Sequence, residues 1–249
     1  MCTVVCRWSP QAVLPVQMLA LRDELASRRF DDPSTWWAAH PFVVGGRDQV
    51  GGGTWCASDL RSGITAVVLN RPEKRRAAPG APSRGVLPLL AVQHAERWPE
   101  FVDVGPMAGF NLVLAGPDTL SWWSYDGDAL SSHGLQAGTH MFTPKGLAVP
   151  LLDERFAPEN TTGISLPAGT ATVVAEWLPI IRDTRPADDP LALLVRVPVG
   201  DDTFETVFGQ FIAARPGALR LDYSRTPDRP LPWTTVEWEH GAGAATLTG

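Results

Sequence analysis

The sequence predicts one α+β domain over residues 1–249, in which strand hairpins dominate and a few helices pack against the sheets. Short β-branched and apolar runs recur along the chain, and turns separate them, because Gly and Pro number 23 each among 249 residues. Only two segments show helical periodicity. Hydrophobic residues make up 44%, which is enough for a sizeable core.

The predicted strands follow these apolar runs in order. They are Thr3–Trp8, Val16–Leu21, Thr54–Ser58, Ile64–Asn70, Phe110–Ala115, Leu120–Tyr125, Leu191–Val197, Thr203–Ile212, Ala218–Tyr223 and Thr234–Glu239. The third and fourth are joined through Arg61-Ser62-Gly63, a short glycine-containing turn that is typical of a hairpin.

Two segments predict helices. Ser83 can cap a helix through Val86–Arg97, where Pro88 would sit harmlessly in the first turn. Thr172–Ile181 places apolar side chains on one face, although Pro179 favours a kink. The proline-bearing segments Arg71–Arg84 and Arg182–Pro190 indicate surface loops.

Composition excludes several classes of protein. The net charge of −6 and the lack of a basic stripe argue against a nucleic-acid partner. The longest apolar runs are far shorter than the ~20 residues of a membrane helix, so we expect no membrane span. The N-terminus lacks a secretory pattern, and the three cysteines form no CxxC motif, so a reducing cytoplasmic location is expected.

Cys2 is the residue whose position is most informative. Methionine aminopeptidases remove an initiator Met when the next side chain is small, which would make Cys2 the first residue. Its thiol would be a nucleophile, and its α-amino group, with an ordinary pKa of ~7.7–8.0, the base that accepts the proton. The alternative is a small apolar side chain that begins a core strand, as we expect for Cys6.

Several short motifs accompany Cys2 in a defined order. They are Arg22-Asp23-Glu24 after a strand, Gly52-Gly53-Thr54-Trp55, the hairpin end Val67-Val68-Leu69-Asn70, and Gly109-Phe110-Asn111-Leu112. This order resembles the Tango2/NRDE family, which is related to the N-terminal-nucleophile hydrolases. The resemblance is specific over residues 1–72 and around 109–115.

The resemblance implies an αββα sandwich, with two antiparallel sheets between helix layers and Cys2 at one end of a central strand. In the related cysteine amidases an Asp orients the α-amino group, and an Arg polarises the thiol or binds substrate. Asp23 and Arg22 match them. Asn70 matches the Asn that donates to the tetrahedral oxyanion. We therefore expect these four residues in one pocket, with Arg22 favouring the thiolate of Cys2.

Three departures from the family pattern predict weak amidase activity. Leu21 stands where the family has Asn, and Pro144 falls where a second Asn is expected. Phe204 and Glu205 occupy the region of a late Arg in the amidases.

The chain has 10 tryptophans, which form either core packing or the walls of an apolar groove near Cys2. In the second interpretation Trp8, Trp36 and Trp55 are the walls. Trp36-Trp37 and Trp122-Trp123 are predicted to place adjacent rings on opposite faces of strands.

Two functions are compatible with these residues and with the resemblance. One is a cysteine amidohydrolase that cleaves a linear amide C–N bond through a Cys2 thioester and needs no cofactor. The other is a non-enzymatic protein that binds and traffics haem, lipid or acyl-CoA; Cys and His are common haem ligands, although no CxxCH attachment site is present. The expected partner is accordingly a small amide, acyl or haem-like ligand.

Overall fold

The computed structural model describes residues 2–72, 76–147, 177–178, 181, 193–227, 233–239 and 246–248, and these form two antiparallel sheets. In chain order the strands are β1 (Thr3–Trp8), β2 (Val16–Leu25), β3 (Phe30–Ser34), β4 (Val43–Asp48), β5 (Cys56–Asp59), β6 (Thr65–Asn70), β7 (Phe110–Ala115), β8 (Leu120–Tyr125), β9 (Leu130–Gly134), β10 (Gly138–Thr143), β11 (Gly146–Leu147), β12 (Arg196–Val199), β13 (Asp202–Arg215), β14 (Ala218–Ser224), β15 (Thr234–Glu239) and β16 (Thr246–Thr248).

The first sheet combines strands from both ends of the chain. Its order is β11-β10-β1-β2-β13-β14-β15-β16, and β12 also pairs with β13. The second sheet is a meander in which β3 to β9 pair in sequence order. Strands distant in sequence therefore meet only in the first sheet, where β2 lies between β1 and β13.

The main core lies between the sheets, because side chains alternate along each strand. On β1, Val4, Cys6 and Trp8 join this core, whereas Val5 faces outward. Aromatic rings from both sheets meet edge to face within it: the ring centroids of Phe30 on β3 and Phe208 on β13 are 5.6 Å apart, a favourable geometry.

One short helix, α1 (Leu87–His94), covers the outer face of the second sheet. A 3₁₀ turn (Arg84–Val86) precedes it, and Ser83 caps this turn by accepting a hydrogen bond from the N–H of Gly85. The α-helix ends where Ala95 adopts φ 49°, and a 3₁₀ segment (Ala95–Phe101) follows. No helix among the described residues is both long and apolar enough to cross a membrane.

The outer face of the first sheet also has apolar cover. Trp177, Leu178 and Ile181 are helical and pack against Val5 and Phe211. The other residues of the predicted helix Thr172–Ile181, and the predicted loop Arg182–Pro190, lie outside the described residues.

The structure corrects several predicted boundaries. Arg22–Glu24 belong to β2 rather than following it, and the helix predicted to reach Arg97 stops at His94. The strand predicted at Leu191–Val197 begins at Arg196. Trp36 and Trp37 follow β3 and are not in a strand, whereas Trp122 and Trp123 alternate on β8 as predicted.

Several strands were not predicted from the sequence. They are β3, β4, β9, β10, β11 and β16. The strands β3 and β9 form the two edges of the second sheet. Polar side chains occupy their exposed positions, so the sequences of these two strands lack the apolar pattern that predicts a strand.

Candidate functional site

A cavity of ≈ 150 Å³ opens between the two sheets at the end where β1 begins and where β6 ends. Its lining is mostly polar. The described residues that line it are Cys2, Arg22, Asp23, Glu24, Arg28, Asp48, Thr54, Trp55, Val68, Asn70, Ser83, Arg84 and Gly85. The cavity therefore contains Cys2, Arg22, Asp23 and Asn70, the four residues singled out from the sequence.

The register of the first sheet explains how Cys2 and Arg22 meet. Thr3 pairs with Leu21, so the same antiparallel register places Cys2 opposite Arg22. Directly opposed residues share a face, with Cβ atoms ~4.5–5.5 Å apart. Asp23 lies on the other face, and its backbone carbonyl is 3.8 Å from Cys2 Sγ.

The thiol of Cys2 is protonated at neutral pH. Burial, and after it the charge of Asp23, raise its pKa to about 11, while the nearby Arg22 lowers it by a smaller amount. Arg22 does favour the thiolate, as expected, but burial disfavours the charged form more strongly than one guanidinium favours it, so the net shift is upward.

Asp23 is held by β13. It pairs with Thr206, whose hydroxyl donates to Asp23 Oδ1 at 2.6 Å. Burial raises the pKa of the Asp23 carboxyl, and the hydrogen bond from Thr206 opposes that rise. The β-bulge between Thr206 and Phe208 keeps Thr206 beside Asp23 and Phe208 beside Arg22.

Arg22 is fixed on several sides. Its guanidinium carbon lies 4.5 Å from the centroid of Trp55 and 5.0 Å from that of Phe30. Its Nη2 contacts Asp48 at 3.3 Å and Glu24 at 3.6 Å. Its buried Nη1 has no hydrogen-bond partner within the described part of the chain.

Asp48 anchors the rim of the cavity. It accepts hydrogen bonds from Arg28 Nε at 2.7 Å and from the N–H groups of Val50 and Gly51. Burial by itself would raise the pKa of Asp48, but the hydrogen bonds from Arg28 and Gly51 hold it below its usual value. The carboxylate is thus ionised at neutral pH.

The opposite wall is formed by close contact between two loops. The N–H of Thr54 donates to the carbonyl of Gly85 at 2.9 Å. A Cβ on Gly53 would lie 2.4 Å from the backbone of Gly85, so only glycine fits there. This contact presents Ser83 and Arg84 to the cavity.

Asn70 ends β6 with an exposed side chain and pairs with Phe110. Its position at the end of a strand of the second sheet makes it a lining residue of the cavity, across from the first sheet.

The three departures from the family pattern lie near this site. Pro144 directly follows β10, which pairs with β1 up to Phe142 and Val4. Leu21 pairs with Thr3, and Glu205 pairs with Glu24. In place of a side-chain donor at position 144, the carbonyl of Pro144 accepts a 3.0 Å hydrogen bond from the buried Asn111.

The proposed tryptophan walls do not come together. Of the three, only Trp55 lines the cavity. Trp8 lies at the far end of β1, where its indole donates to the carbonyl of Gly116. Trp36 is on the surface, 38% exposed, and stacks under Arg47.

Most of the charged residues that surround the cavity were not identified from the sequence. Arg28, Asp48 and Arg84 have no motif of their own, and they reach the cavity through turns between elements. A signal was available for Glu24, because it shares a strand face with Arg22.

Comparison with known proteins gives one match, to a protein family. A comparison with curated proteins finds no match. A comparison with protein-family models matches residues 1–154 to the family described as Transport and Golgi organisation 2, TANGO2. This match spans more than half of the chain and includes the cavity residues named above; the chain therefore belongs to the TANGO2 family.

Proposed function

We propose that this protein is an N-terminal cysteine amidohydrolase that cleaves a linear amide C–N bond slowly. The observation that supports this most is the grouping of Cys2, Arg22, Asp23 and Asn70 around one cavity. These four are the residue types that a nucleophile, a positioning pair and an oxyanion donor require.

In the proposed mechanism, removal of Met1 by an aminopeptidase frees the α-amino group of Cys2. A thiol with a pKa of about 11 is ionised in only about 10⁻⁴ of molecules at pH 7, so attack needs a base. The neutral α-amine accepts the thiol proton as the S–C bond to the amide carbonyl forms. Asp23 orients the amine.

The carbonyl oxygen then carries negative charge, which the Asn70 amide stabilises. One such donor is typically worth ~2.7–4 kcal/mol of barrier. The C–N bond breaks as the ammonium gives its proton to the leaving nitrogen, and the acyl group remains as a Cys2 thioester. Water, deprotonated by the same amine, hydrolyses the thioester and restores the thiol.

The proposed rate is low because Pro144 supplies neither a side-chain amide nor a backbone N–H. Loss of one oxyanion donor typically costs ~10²–10³ in rate. We therefore expect slow acylation of Cys2 and slow turnover.

The residues of the cavity do not fit haem. A cavity of ≈ 150 Å³ is about the size that holds benzene, far smaller than a porphyrin. Among its described lining residues, Cys2 is the one Cys or His that could ligate iron. The polar lining is equally unsuited to a long acyl chain, so the cavity favours the amidohydrolase over haem or lipid trafficking.

We also propose that the architecture is the four-layer αββα sandwich. Helix α1 covers one sheet, and the apolar cluster around Trp177, Leu178 and Ile181 supports a helical layer on the other.

The test begins with the intact mass of the purified protein. Loss of Met1 is expected, and retention of Met1 would contradict the mechanism. The processed protein is then incubated with 4-nitroanilides of short acids and analysed by mass spectrometry. We expect an acyl adduct on Cys2 in the wild type and none in Cys2→Ala. Turnover that persists in Cys2→Ala would refute the assignment of the nucleophile.

A further inference from the structure

We infer that the substrate of this site has a short acyl chain that ends in a carboxylate, and that Arg22 binds this carboxylate. The inference rests on the proposed function and narrows its substrate class. It starts from Arg22, a residue that lines the cavity and whose buried Nη1 has no hydrogen-bond partner among the described residues.

An unmade hydrogen bond at this position is costly. Arg22 is 4% exposed, and a buried donor on a charged group without a partner costs more than ~1–3 kcal/mol. An anionic acceptor in the cavity would remove this cost through a charge-assisted bond.

The protein's own carboxylates do not satisfy Nη1. Asp48 already accepts from Arg28 and from two backbone N–H groups, and it reaches only Nη2 of Arg22, at 3.3 Å. Glu24 lies 3.6 Å from the same Nη2 and 3.6 Å from Arg28. Two arginines thus share two carboxylates, and Nη1 of Arg22 is left for a ligand.

The guanidinium is fixed before any ligand arrives. Trp55 and Phe30 stack against it, and its Nη2 is held at the rim. Such preorganisation lowers the entropy lost on binding. Arg84 adds a further positive charge, on the opposite wall.

Size and register limit the length of the acyl chain. Arg22 lies opposite Cys2, with Cβ atoms ~4.5–5.5 Å apart, so the length of one arginine side chain limits the distance between a carbonyl at Sγ and a carboxylate at the guanidinium. The cavity of ≈ 150 Å³ holds about as many heavy atoms as benzene, or slightly more. A succinyl group fits both limits, and a dodecanoyl group fits neither.

The test compares two isosteric substrates that differ only in charge. Succinyl 4-nitroanilide carries a terminal carboxylate, and succinamoyl 4-nitroanilide carries a neutral amide. We expect Cys2 in the processed wild type to be acylated at least ~10-fold faster by the succinyl compound. Arg22→Gln should reduce this ratio to about 1, and Arg22→Lys should give an intermediate value.

Arg47→Gln is the matched control. Arg47 also stacks on an indole, at 4.4 Å from Trp36, and pairs with Asp31 at 2.7 Å, but it does not line the cavity. Its substitution should leave the ratio unchanged. A wild type that prefers the neutral compound would overturn the inference, and so would faster acylation by dodecanoyl 4-nitroanilide, a third substrate that tests the length of the chain.

A binding measurement separates this inference from the proposed function. Calorimetry on Cys2→Ala compares N-methylsuccinamate with its neutral diamide, N-methylsuccinamide. At least ~10-fold tighter binding of the anion is expected. Equal binding overturns the inference whatever the turnover. Tighter binding of the anion with no acylation of the wild type supports the carboxylate subsite and refutes the amidohydrolase.

Discussion

Asp23 is a residue at which the requirements of the site and of stability oppose each other. Burial raises the pKa of its carboxyl, so the folded state holds the proton more tightly than the unfolded state does. Folding stability therefore falls as pH rises above the unfolded value, near 3.9. Ionisation of the Asp23 carboxyl therefore comes at a cost to the stability of the fold.

We predict that Asp23→Asn abolishes acylation of Cys2 but does not lower the free energy of unfolding at pH 7. The amide oxygen can still accept from Thr206, and the buried charge is gone. Urea denaturation at pH 4 and pH 7 measures this, and the stability gained by the variant should be larger at pH 7.

The control for Asp23→Asn is Asp31→Asn, which should change the free energy of unfolding at pH 7 in the opposite direction. Hydrogen bonds from Gln49 and Arg47 lower the pKa of Asp31, so this variant loses stability at pH 7. An Asp23→Asn protein that is less stable than the wild type at pH 7 would contradict the interpretation.

The second prediction concerns the three cysteines. Cys2 is half-buried, whereas burial raises the pKa of Cys6 to about 12 and that of Cys56 still further. We predict that iodoacetamide labels Cys2 alone in the folded protein. Because its pKa is about 11, the rate should rise nearly tenfold per pH unit between pH 7 and 9.

Peptide mapping after timed labelling gives the rate at each cysteine. Labelling of Cys6 or Cys56 at a similar rate without denaturant would show that the fold does not protect them. A flat profile between pH 7 and 9 would mean that the thiolate of Cys2 is already formed.

At the scale of elements, the wall of the cavity depends on the contact between the loop before β5 and the turn before α1. We predict that Gly53→Ala destabilises the protein by about 1–3 kcal/mol, because the new Cβ would overlap the backbone of Gly85. Displacement of that turn should also slow acylation of Cys2.

Gly134→Ala is the matched substitution on β9, where a Cβ has open space. Its effect should stay within about 0.5 kcal/mol. Thermal denaturation and acylation rates are compared for the two variants, and equal behaviour would show that the loop contact is unimportant.

At the scale of the whole molecule, the match to the family ends well before the first sheet is complete. Residues 1–154 lack β13, which pairs with β2 from Val16 to Leu25 and supplies Thr206 to Asp23. We predict that a chain of residues 1–154 does not fold cooperatively, since it exposes one edge of β2 and lacks the core side chains that β13, β14 and β15 supply.

Circular dichroism and urea denaturation test this truncation, with the chain of residues 1–249 as the control. A truncated chain with a sharp unfolding transition would show that the residues after 154 form a separate unit.

The sequence by itself determined the strands with clear apolar patterns and the position of Cys2. Thr3–Trp8, Phe110–Ala115 and Leu120–Tyr125 have the predicted bounds, because each is buried and rich in β-branched, apolar or aromatic residues. The family was also identified from short motifs, and the comparison with family models confirms it.

Only the tertiary structure decided the composition and charge of the site. The pairing of β2 with β13 joins residues about 180 positions apart, and no local pattern encodes which strands become neighbours. The pKa of Cys2 likewise depends on burial, which follows from packing and not from the nearby Arg22 in the sequence. Nη1 of Arg22 has no partner within the described residues, and Asp48, the nearest carboxylate to this guanidinium, is held by Arg28 and by a turn from another part of the chain.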